Sequence, residues 1–530
     1  MEEHEHHGAL YKWMALLVCV IGTFMAILDS SIVNIAIPKL MAVFGVSLDD
    51  VKWILTAYTL ALGAIIPLTG YLGDIFGTKK VFIFALIMFT IGSFLCGFAW
   101  SNSSMIVFRV IQALGGGMIM PVAMSIIYQI IPPEERGMAL GFWGIASMAA
   151  PAIGPTLGGY IIEKLHWSLI FYVNVPIGIV CVILAIILLK PSVAKPMKGF
   201  DLIGFIASTV GLVSILYVLG EGSTIDWSDI KNPLLLTLGG FALLLFVVNE
   251  LTHPDPLLDL RVFKIFDFTI SQTVTCVTTF SLMGAAYILP VFLQNIRGYT
   301  AMETGLIMMP SAIATGIMMP VSGFIFDKIG AKPVVIPGLF LLAWASYELS
   351  FINLTTSKEM ISFLLVIRGI GLGLSMMPIN ASGMNAVPPQ LVGRASALSN
   401  TIRQIMSSLS VTIMTMMLNS RVNTNYARLA EQVTPFNSQA GNIFSQLQGL
   451  FTLNKFSGAE AQGAATSVVY GLVYKQAYVD AMDYAIAVTV VAVAIAIITV
   501  FFMRGKRKKP SLDGNNPNEG EGLSHAAVFE

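Results

Sequence analysis

Two charged residues lie where only oil is expected. Asp29 sits in FMAILDSSIVNIAIP (Phe24 to Pro38), and Arg109 in FRVIQALGGGMIMP, which ends at Pro121. A carboxylate in such a run can take up and release a proton. A neighbouring guanidinium favours its ionised form, whereas burial favours the neutral one. A rearrangement that changes either influence therefore moves a proton. Ionisable groups inside a membrane span are expensive and by default mark a functional site or an internal pair. A static ion pair that only fixes helix packing is the competing reading. Asn34 and Gln112 are the polar side chains expected to support the pair.

The elements that must position these residues follow from composition. Hydrophobic residues make up 56% of the chain and charged ones 11%, with a mean hydropathy of +0.79. Soluble domains carry about a quarter charged residues, so the fold class is an all-α polytopic membrane protein. The first apolar run, Trp13 to Ala36, is too long for a signal peptide and lacks a small-residue cleavage site, so it is expected to remain as a span. Fourteen such segments are expected, at 13–36, 51–73, 80–99, 104–130, 138–161, 168–189, 200–220, 233–252, 268–293, 304–325, 333–353, 359–385, 396–419 and 480–503. Ser420 to Val479, polar and rich in Gln and Asn, is expected to be a long loop. With the N-terminus inside, seventeen of the 30 Lys and Arg fall in cytoplasmic segments and six in short outer loops. That bias places both termini in the cytoplasm and the long loop outside. At about 1.5 Å per residue, Arg109 lies roughly 8 Å from the outer end of its span and Asp29 about 24 Å from the inner end of its own. Their depths are compatible with contact.

The sequence repeats itself. GYLGDIFGTK begins at Gly70 and GFIFDKIGAK at Gly323, 253 residues later. FRVIQALGGGMIMP is echoed by IRGIGLGLSMMP (Arg368 to Pro378), and IPPEERG at Ile131 by VPPQLVGRAS at Val387. Three pairs in one order imply two homologous six-helix halves, with spans 7 and 8 inserted between them. The expected organisation is a tail at 1–12, an N-terminal bundle at 13–190, an inserted pair with linkers at 191–266, a C-terminal bundle at 267–503 that contains the outer loop 420–479, and a tail at 504–530. Duplicated halves around a midplane site are the architecture of alternating-access transporters.

Within the repeat, Asp74 stands at a helix end beside Gly77, Lys79 and Lys80. It can cap a neighbouring helix N-terminus or pair with a cation, locking one conformer. Gly70 and the matching Asp327 belong to the same latch, unless the loop is a plain positive-inside turn. Pro151, Gly154, Pro155, Gly158 and Gly159 fall within one span. Glycines at that spacing let another backbone approach, and Pro155 removes a ladder bond and invites a kink. Glu348 is a second intramembrane acid: it can contact a cationic substrate, carry a second proton, or simply end a helix near the outer surface. Arg368 matches Arg109 through the repeat and Arg403 can pair across helices; both are read as structural.

Other chemistry is disfavoured. No Gly-Lys-Ser/Thr phosphate loop is present, which argues against ATP drive. No nucleophile–base or metal-ligand constellation points to an enzyme, and no cofactor is expected. The four cysteines lie in apolar runs without metal or disulfide spacing. Glu3 to His7 (EHEHH) reads as a solvated tail rather than a metal site, and Arg504 to Lys509 (RGKRKK) as a stop-transfer anchor against anionic membrane lipid, not a nucleic-acid patch.

Taken together, these motifs resemble the major facilitator superfamily, and within it the fourteen-span drug:proton antiporters of the EmrB/QacA type. ILDSSIVNIAIP is similar to that branch's first-helix motif, GYLGDIFGTKK to the loop 2–3 motif, FRVIQALGGG to the fourth-helix motif, and APAIGPTLGGYI to the fifth-helix antiporter motif. ELTHPDPLLDLRVFK and TPFNSQAGNIFSQLQGL (Thr434 to Leu450) look like the EmrB side of the branch. The resemblance implies the major facilitator fold, two six-helix bundles plus two inserted helices. It also implies export, driven by the proton gradient, of lipophilic and often cationic toxic compounds. EmrB-type pumps work with a periplasmic adaptor of the membrane-fusion type, which makes such an adaptor a candidate partner. One departure is Ile75, where the family often has a basic residue after the aspartate; the charge relay there is weaker or runs through Lys79. Competing readings are a dedicated exporter of one metabolite, siderophore or lipid, and a non-transporting sensor or scaffold.

Overall fold

The computed structural model describes residues 2–192, 199–221, 225–433 and 437–503, without the side chains of 2–9, 48, 49, 152, 155, 301, 438 and 439. Arg504 to Lys509 and the side chains of Glu3 to His7 thus lie outside the described residues. Every regular element among those described is helical. The first half comprises α1 (Glu2–Phe44), α2 (Leu48–Ile65), α3 (Leu68–Phe76), α4 (Thr78–Gly97), α5 (Asn102–Ile130), α6 (Arg136–Lys164), the single turn α7 (Leu169–Tyr172) and α8 (Asn174–Leu188). A pair follows, α9 (Leu202–Glu221) and α10 (Lys231–Thr252). The second half comprises α11 (Phe266–Val291), α12 (Ala301–Ile329), α13 (Lys332–Leu349), α14 (Lys358–Asn385), α15 (Val392–Ala430), α16 (Ser438–Leu453) and α17 (Gly458–Phe501).

Eleven of these helices are long and apolar enough to cross a membrane, twelve when α2 and α3 count as one span. The expected segments 333–353 and 396–419 are helices too, α13 and α15, but fall outside that set. α13 is diluted by Lys332, Glu348 and two prolines, and α15 is rich in Ser, Thr, Asn and Arg.

Two expectations are corrected. The segment 51–73 is not one straight span: α2 and α3 meet at a 53° bend. Pro67 stands at the break, where it has no amide to donate to the preceding turn. The described residues of 420–479 are mostly helical rather than irregular. α15 continues to Ala430, α16 fills Ser438–Leu453, and α17 begins at Gly458 behind a reciprocal cap of Ser457 and Glu460. Polar composition had suggested a loop, yet no proline interrupts these helices, and Tyr426 packs on Tyr474 to tie α15 to α17 (ring centroids 6.4 Å).

The repeat encodes the same turn twice. Gly77 and Gly330, three residues after Asp74 and Asp327, have φ of 84° and 87°, a region that L side chains avoid. Around these turns the halves meet. A Cβ on Gly70 of α3 would lie 2.9 Å from the Arg394 Cα of α15, and Gly323 of α12 backs directly onto Gly137 of α6. α15 also touches α5, through a 2.9 Å bond from Ser396 Oγ to the Pro121 carbonyl. Seven residues along α12, Gly316 faces open space. There α6 and α12 together line a 780 Å³ apolar groove, with Ile153, Tyr160, Ile313 and Ile317 on its walls. The bundle is therefore sealed at the end that carries the α3–α4 turn, with an apolar groove along its α6–α12 flank.

α9 packs between the halves. Its Tyr217 stacks near Trp53 of α2 (5.7 Å), and its Leu219 carbonyl accepts from Thr412 Oγ1 of α15 (2.6 Å).

Gly323→Leu has no room at the Gly137 backbone and is expected to hold the sealed end apart. Spin-label distances between the α3–α4 turn and the α14–α15 connection should lengthen, while Gly159→Leu, placed where nothing lies within 4 Å, should leave them unchanged.

Candidate functional site

Asp29 and Arg109 meet inside the first half. Arg109 Nη1 donates to Asp29 Oδ2 at 2.5 Å and to Gln112 Oε1 at 2.6 Å. Gln112 follows Arg109 by three residues, which puts both on one face of α5. Its Nε2 donates to Asp29 Oδ1 at 2.8 Å and to Ser93 Oγ of α4 at 2.7 Å. Asn174, the first residue of α8, adds a third donor to Asp29, Nδ2 to Oδ1 at 2.9 Å. Tyr58 of α2 lies under the guanidinium, its ring centroid 3.8 Å from Cζ. Asp29, Arg109, Gln112, Ser93 and Asn174 are all buried. Five helices thus converge on one carboxylate, and its donors suit an ionised acceptor. Arg109 Nε and Nη2 have no hydrogen-bond partner among the described residues; the face of Tyr58 supplies a cation–π contact instead.

Asn34 does not belong to this network. It is exposed, and five residues of helix turn it about 140° from Asp29. Asn174 takes the place expected of it. Neither Asn174, Ser93 nor Tyr58 stood out in the sequence, since each is an ordinary residue brought in by packing between distant segments.

The latch is built twice, differently. Arg394, in the first turn of α15, donates Nε to Asp74 Oδ2 at 3.1 Å and Nη2 to Asp255 Oδ1 at 2.5 Å. Asp327 instead accepts from the Gly137 and Met138 amides at the head of α6, each at 2.9 Å, where the helix dipole favours an anion. Both links join the two halves. Lys79 does not pair with Asp74; its Nζ donates to the Ile186 carbonyl at 2.8 Å. Arg394 and Asp255 were missed as partners, although the quoted motifs VPPQLVGRAS and ELTHPDPLLDLRVFK contain them.

The glycine-rich stretch of α6 packs beside the network. Gly154 backs onto Ser31, and a Cβ on Gly158 would lie 3.2 Å from Ile32 Cγ2. These α1 residues lie within a turn of Asp29. Pro151 is exposed, Gly159 faces open space, and the Pro155 side chain lies outside the described residues. Glu348 is half-buried in the last turn of α13, on a helix that packs against α14 and α17, away from the Asp29 network. Arg368 Nη2 donates to the Ser281 carbonyl at 2.6 Å. Arg403, expected to pair across helices, makes no ion pair among the described residues, and its buried Nε lacks a partner.

An all-helical, twice-repeated bundle with interlocking halves and a buried charge network defines a membrane transporter of the duplicated-bundle class. The Major Facilitator Superfamily model matches residues 19–411, and the chain belongs to that family. It is 36% identical over 501 residues to the uncharacterized MFS-type transporter YhcA of Bacillus subtilis, covering 93% of each chain. It is 33% identical over 449 residues to the multidrug export protein EmrB of Escherichia coli K12, covering 83% of this chain and 87% of the relative. Among solved structures, the proton:xylose symporter XylE superposes with a TM-score of 0.57 at 12% identity, over 94% of this chain and 97% of that one. The chain is therefore a multi-pass cell-membrane transporter and not an enzyme.

Removing Arg109 strands a buried carboxylate. Arg109→Ala is expected to destabilise the detergent-purified protein by about 3–5 kcal/mol. Asp29→Asn should cost less, and the double variant should fall well short of the sum in thermal unfolding.

Proposed function

We propose that the chain is a proton-coupled antiporter that exports small lipophilic compounds by alternating access. The observation that carries this reading is the Asp29–Arg109–Gln112–Asn174 network, closed off from solvent and abutted by the α6 glycines. Likeness to the multidrug export protein EmrB supports drug efflux as the task. Fourteen spans with both termini cytoplasmic accompany the proposal, α13 and α15 completing the twelve apolar ones. So do the divisions at 13–190, 191–266 and 267–503. In that orientation the sealed end is cytoplasmic.

Asp29 is the proton carrier and Arg109 its switch. In the sealed state the carboxylate is fully paired. Movement of α1 relative to α5 lengthens that pairing, a proton is taken up, and the return to the sealed state expels it. The Asp74–Arg394 and Asp327–α6 links stabilise one end state without touching cargo. Cationic cargo, which the resemblance implies, would need an accessible acid. Asp29 is already paired, and Glu348 sits at a helix end. The outer helices α15 to α17 are the proposed seat of an adaptor; Thr434 to Phe436 of the loop that resembles the EmrB one lie outside the described residues.

Purified wild type should release protons when substrate is added in weak buffer, and Asp29→Asn should not. If Asp29→Asn folds and still exports against a gradient with unchanged pH dependence, the coupling role is wrong. Deleting Asn437 to Leu450 should abolish co-purification of an adaptor and leave thermal stability intact; retention of both adaptor and export removes the docking role.

A further inference from the structure

The inserted helix pair buries two acids side by side. Glu250, in the last turn of α10, and Asp201, at the head of α9, are both shut off from solvent. Asp201 Oδ1 caps α9 by accepting from the Gly204 amide at 2.8 Å, and Asn249 Nδ2 donates to its two oxygens at 2.8 and 2.7 Å. Glu250 Oε2 accepts from the Leu258 amide at 3.0 Å, whereas Oε1 has no hydrogen-bond partner among the described residues. That oxygen is aimed at Asp201: a Cβ on Gly204 would collide with Asp201 Oδ2 and lie 2.9 Å from Glu250 Oε1. The two carboxyl groups thus flank a gap too small for a methyl group. Arg394 is committed to Asp74 and Asp255, and no cation bonds Asp201 or Glu250 among the described residues. Nor does a third metal-ligating side chain join them there. Two carboxyl groups this close and out of water do not both ionise; they share a proton.

Their neighbours connect them to the latch. The bond from Leu258 to Glu250 holds the connection after α10 in place, and three residues earlier in that connection Asp255 accepts from Arg394, which also holds Asp74. On the other side, Tyr71 of α3 donates to the Gly199 carbonyl and packs on Phe200, just ahead of Asp201 (ring centroids 5.6 Å). The remaining ionisable groups of the connection are occupied locally. His253 Nδ1 accepts from the Asp255 amide, Asp259 caps the Arg261 amide, and the Arg261 guanidinium donates to the Leu251 and His253 carbonyls. Leu251 and Thr252, directly after Glu250, are exposed, so solvent protons stand one residue away.

We propose that Asp201 and Glu250 form a regulatory proton site, separate from Asp29, through which the α9–α10 pair makes the seal sensitive to pH. With one proton between them, Glu250 donates to Asp201, keeps hold of Leu258, and leaves Asp255 in register with Arg394. Without it, two buried anions repel, the head of α9 and the end of α10 move apart, and the segment that presents Asp255 goes with them. The sealed form therefore binds this proton more tightly than any form in which the two acids are apart. By linkage the seal is favoured at low pH and weakened as pH rises. The inference goes beyond the exporter reading: Asp29 moves protons across the membrane, whereas this site responds to proton activity on one side of it.

The test uses full-length protein in nanodiscs, spin-labelled in the α3–α4 turn and the α14–α15 connection and scanned from about pH 6 to about pH 9, a range that brackets buried carboxyl groups. Wild type should hold the short label distance at the acid end and shift to a longer one as pH rises. Glu250→Gln, neutral at every pH, should stay short throughout. Asp201→Asn keeps a capping oxygen and offers its amide to an ionised Glu250, so it should lose most of the shift; it serves if the glutamine variant does not fold. The shift should persist in Asp29→Asn and in His253→Gln. A wild-type distance indifferent to pH, a shift retained in Glu250→Gln or Asp201→Asn, or a shift lost in Asp29→Asn or His253→Gln overturns the proposal. Substrate-triggered proton release separates the two readings. Its absence from a protein with a Glu250-dependent shift removes the coupled exporter and leaves this site standing; normal release from a protein whose seal ignores pH does the reverse.

Discussion

A charge buried in a membrane protein must be neutralised by something close, and that constraint organises the first half of this molecule. Asp29 cannot reach water in the sealed state, so its surroundings must supply every favourable interaction. They come from four other helices: Arg109 and Gln112 on α5, Asn174 on α8, Ser93 on α4 holding Gln112, and Tyr58 on α2 beneath the guanidinium. Net stabilisation from such a cluster is small, because desolvating two ions offsets most of their attraction. What the cluster provides is specificity. This arrangement of the five helices satisfies the carboxylate, so the first half behaves as one body for as long as it holds.

The duplicated scaffold shows how one ancestral chemistry becomes two. Both copies of the latch keep the aspartate and the left-handed glycine three residues later. One aspartate finds a cation, Arg394, itself shared with Asp255 from the connection after α10; the other finds the bare amides of α6. These are alternative ways to satisfy the same anion at a helix end, and each ties one half to the other. Asp255 also makes the α9–α10 pair part of the latch, since the segment leaving α10 returns to the seal. The intramembrane arginines diverged further. The first half has an acid facing its arginine, whereas Ser281, at the matching place in the second half, offers Arg368 only a carbonyl and a hydroxyl.

Legibility in the sequence followed the range of the interaction. Spans were readable because apolarity over about 20 residues is a local property. The pairing of Asp29 with Arg109 was readable because rare residues at matching depths have few other places to go. Asn174 and Ser93 were not, since asparagine and serine occur throughout and only tertiary packing selects these two. Asn34 failed on helical geometry: nearness along the chain is not nearness round a helix. Hydropathy alone read straight through Pro67, because it registers the oiliness of a proline but not its missing donor. It misjudged 420–479 for the converse reason: helix formation there is supported by capping and by contacts between helices, to which polarity is blind.

The remaining step is how the seal and the buried carboxylate influence each other along the molecule. α6 touches both. At its head, Gly137 and Met138 bind Asp327 and back onto Gly323; seventeen residues later Gly154 presses on Ser31, beside Asp29. At 1.5 Å per residue those contacts lie about 25 Å apart along one helix. Neither contact has slack, because glycine there leaves no side chain to yield and the opposing atoms are backbone or the stub of a serine. A change at the seal must therefore tilt α6, and a tilted α6 must shift α1 against α5 or lose its packing. A rigid lever with a charge at its side converts a movement of the halves into a change in the company that a single carboxylate keeps.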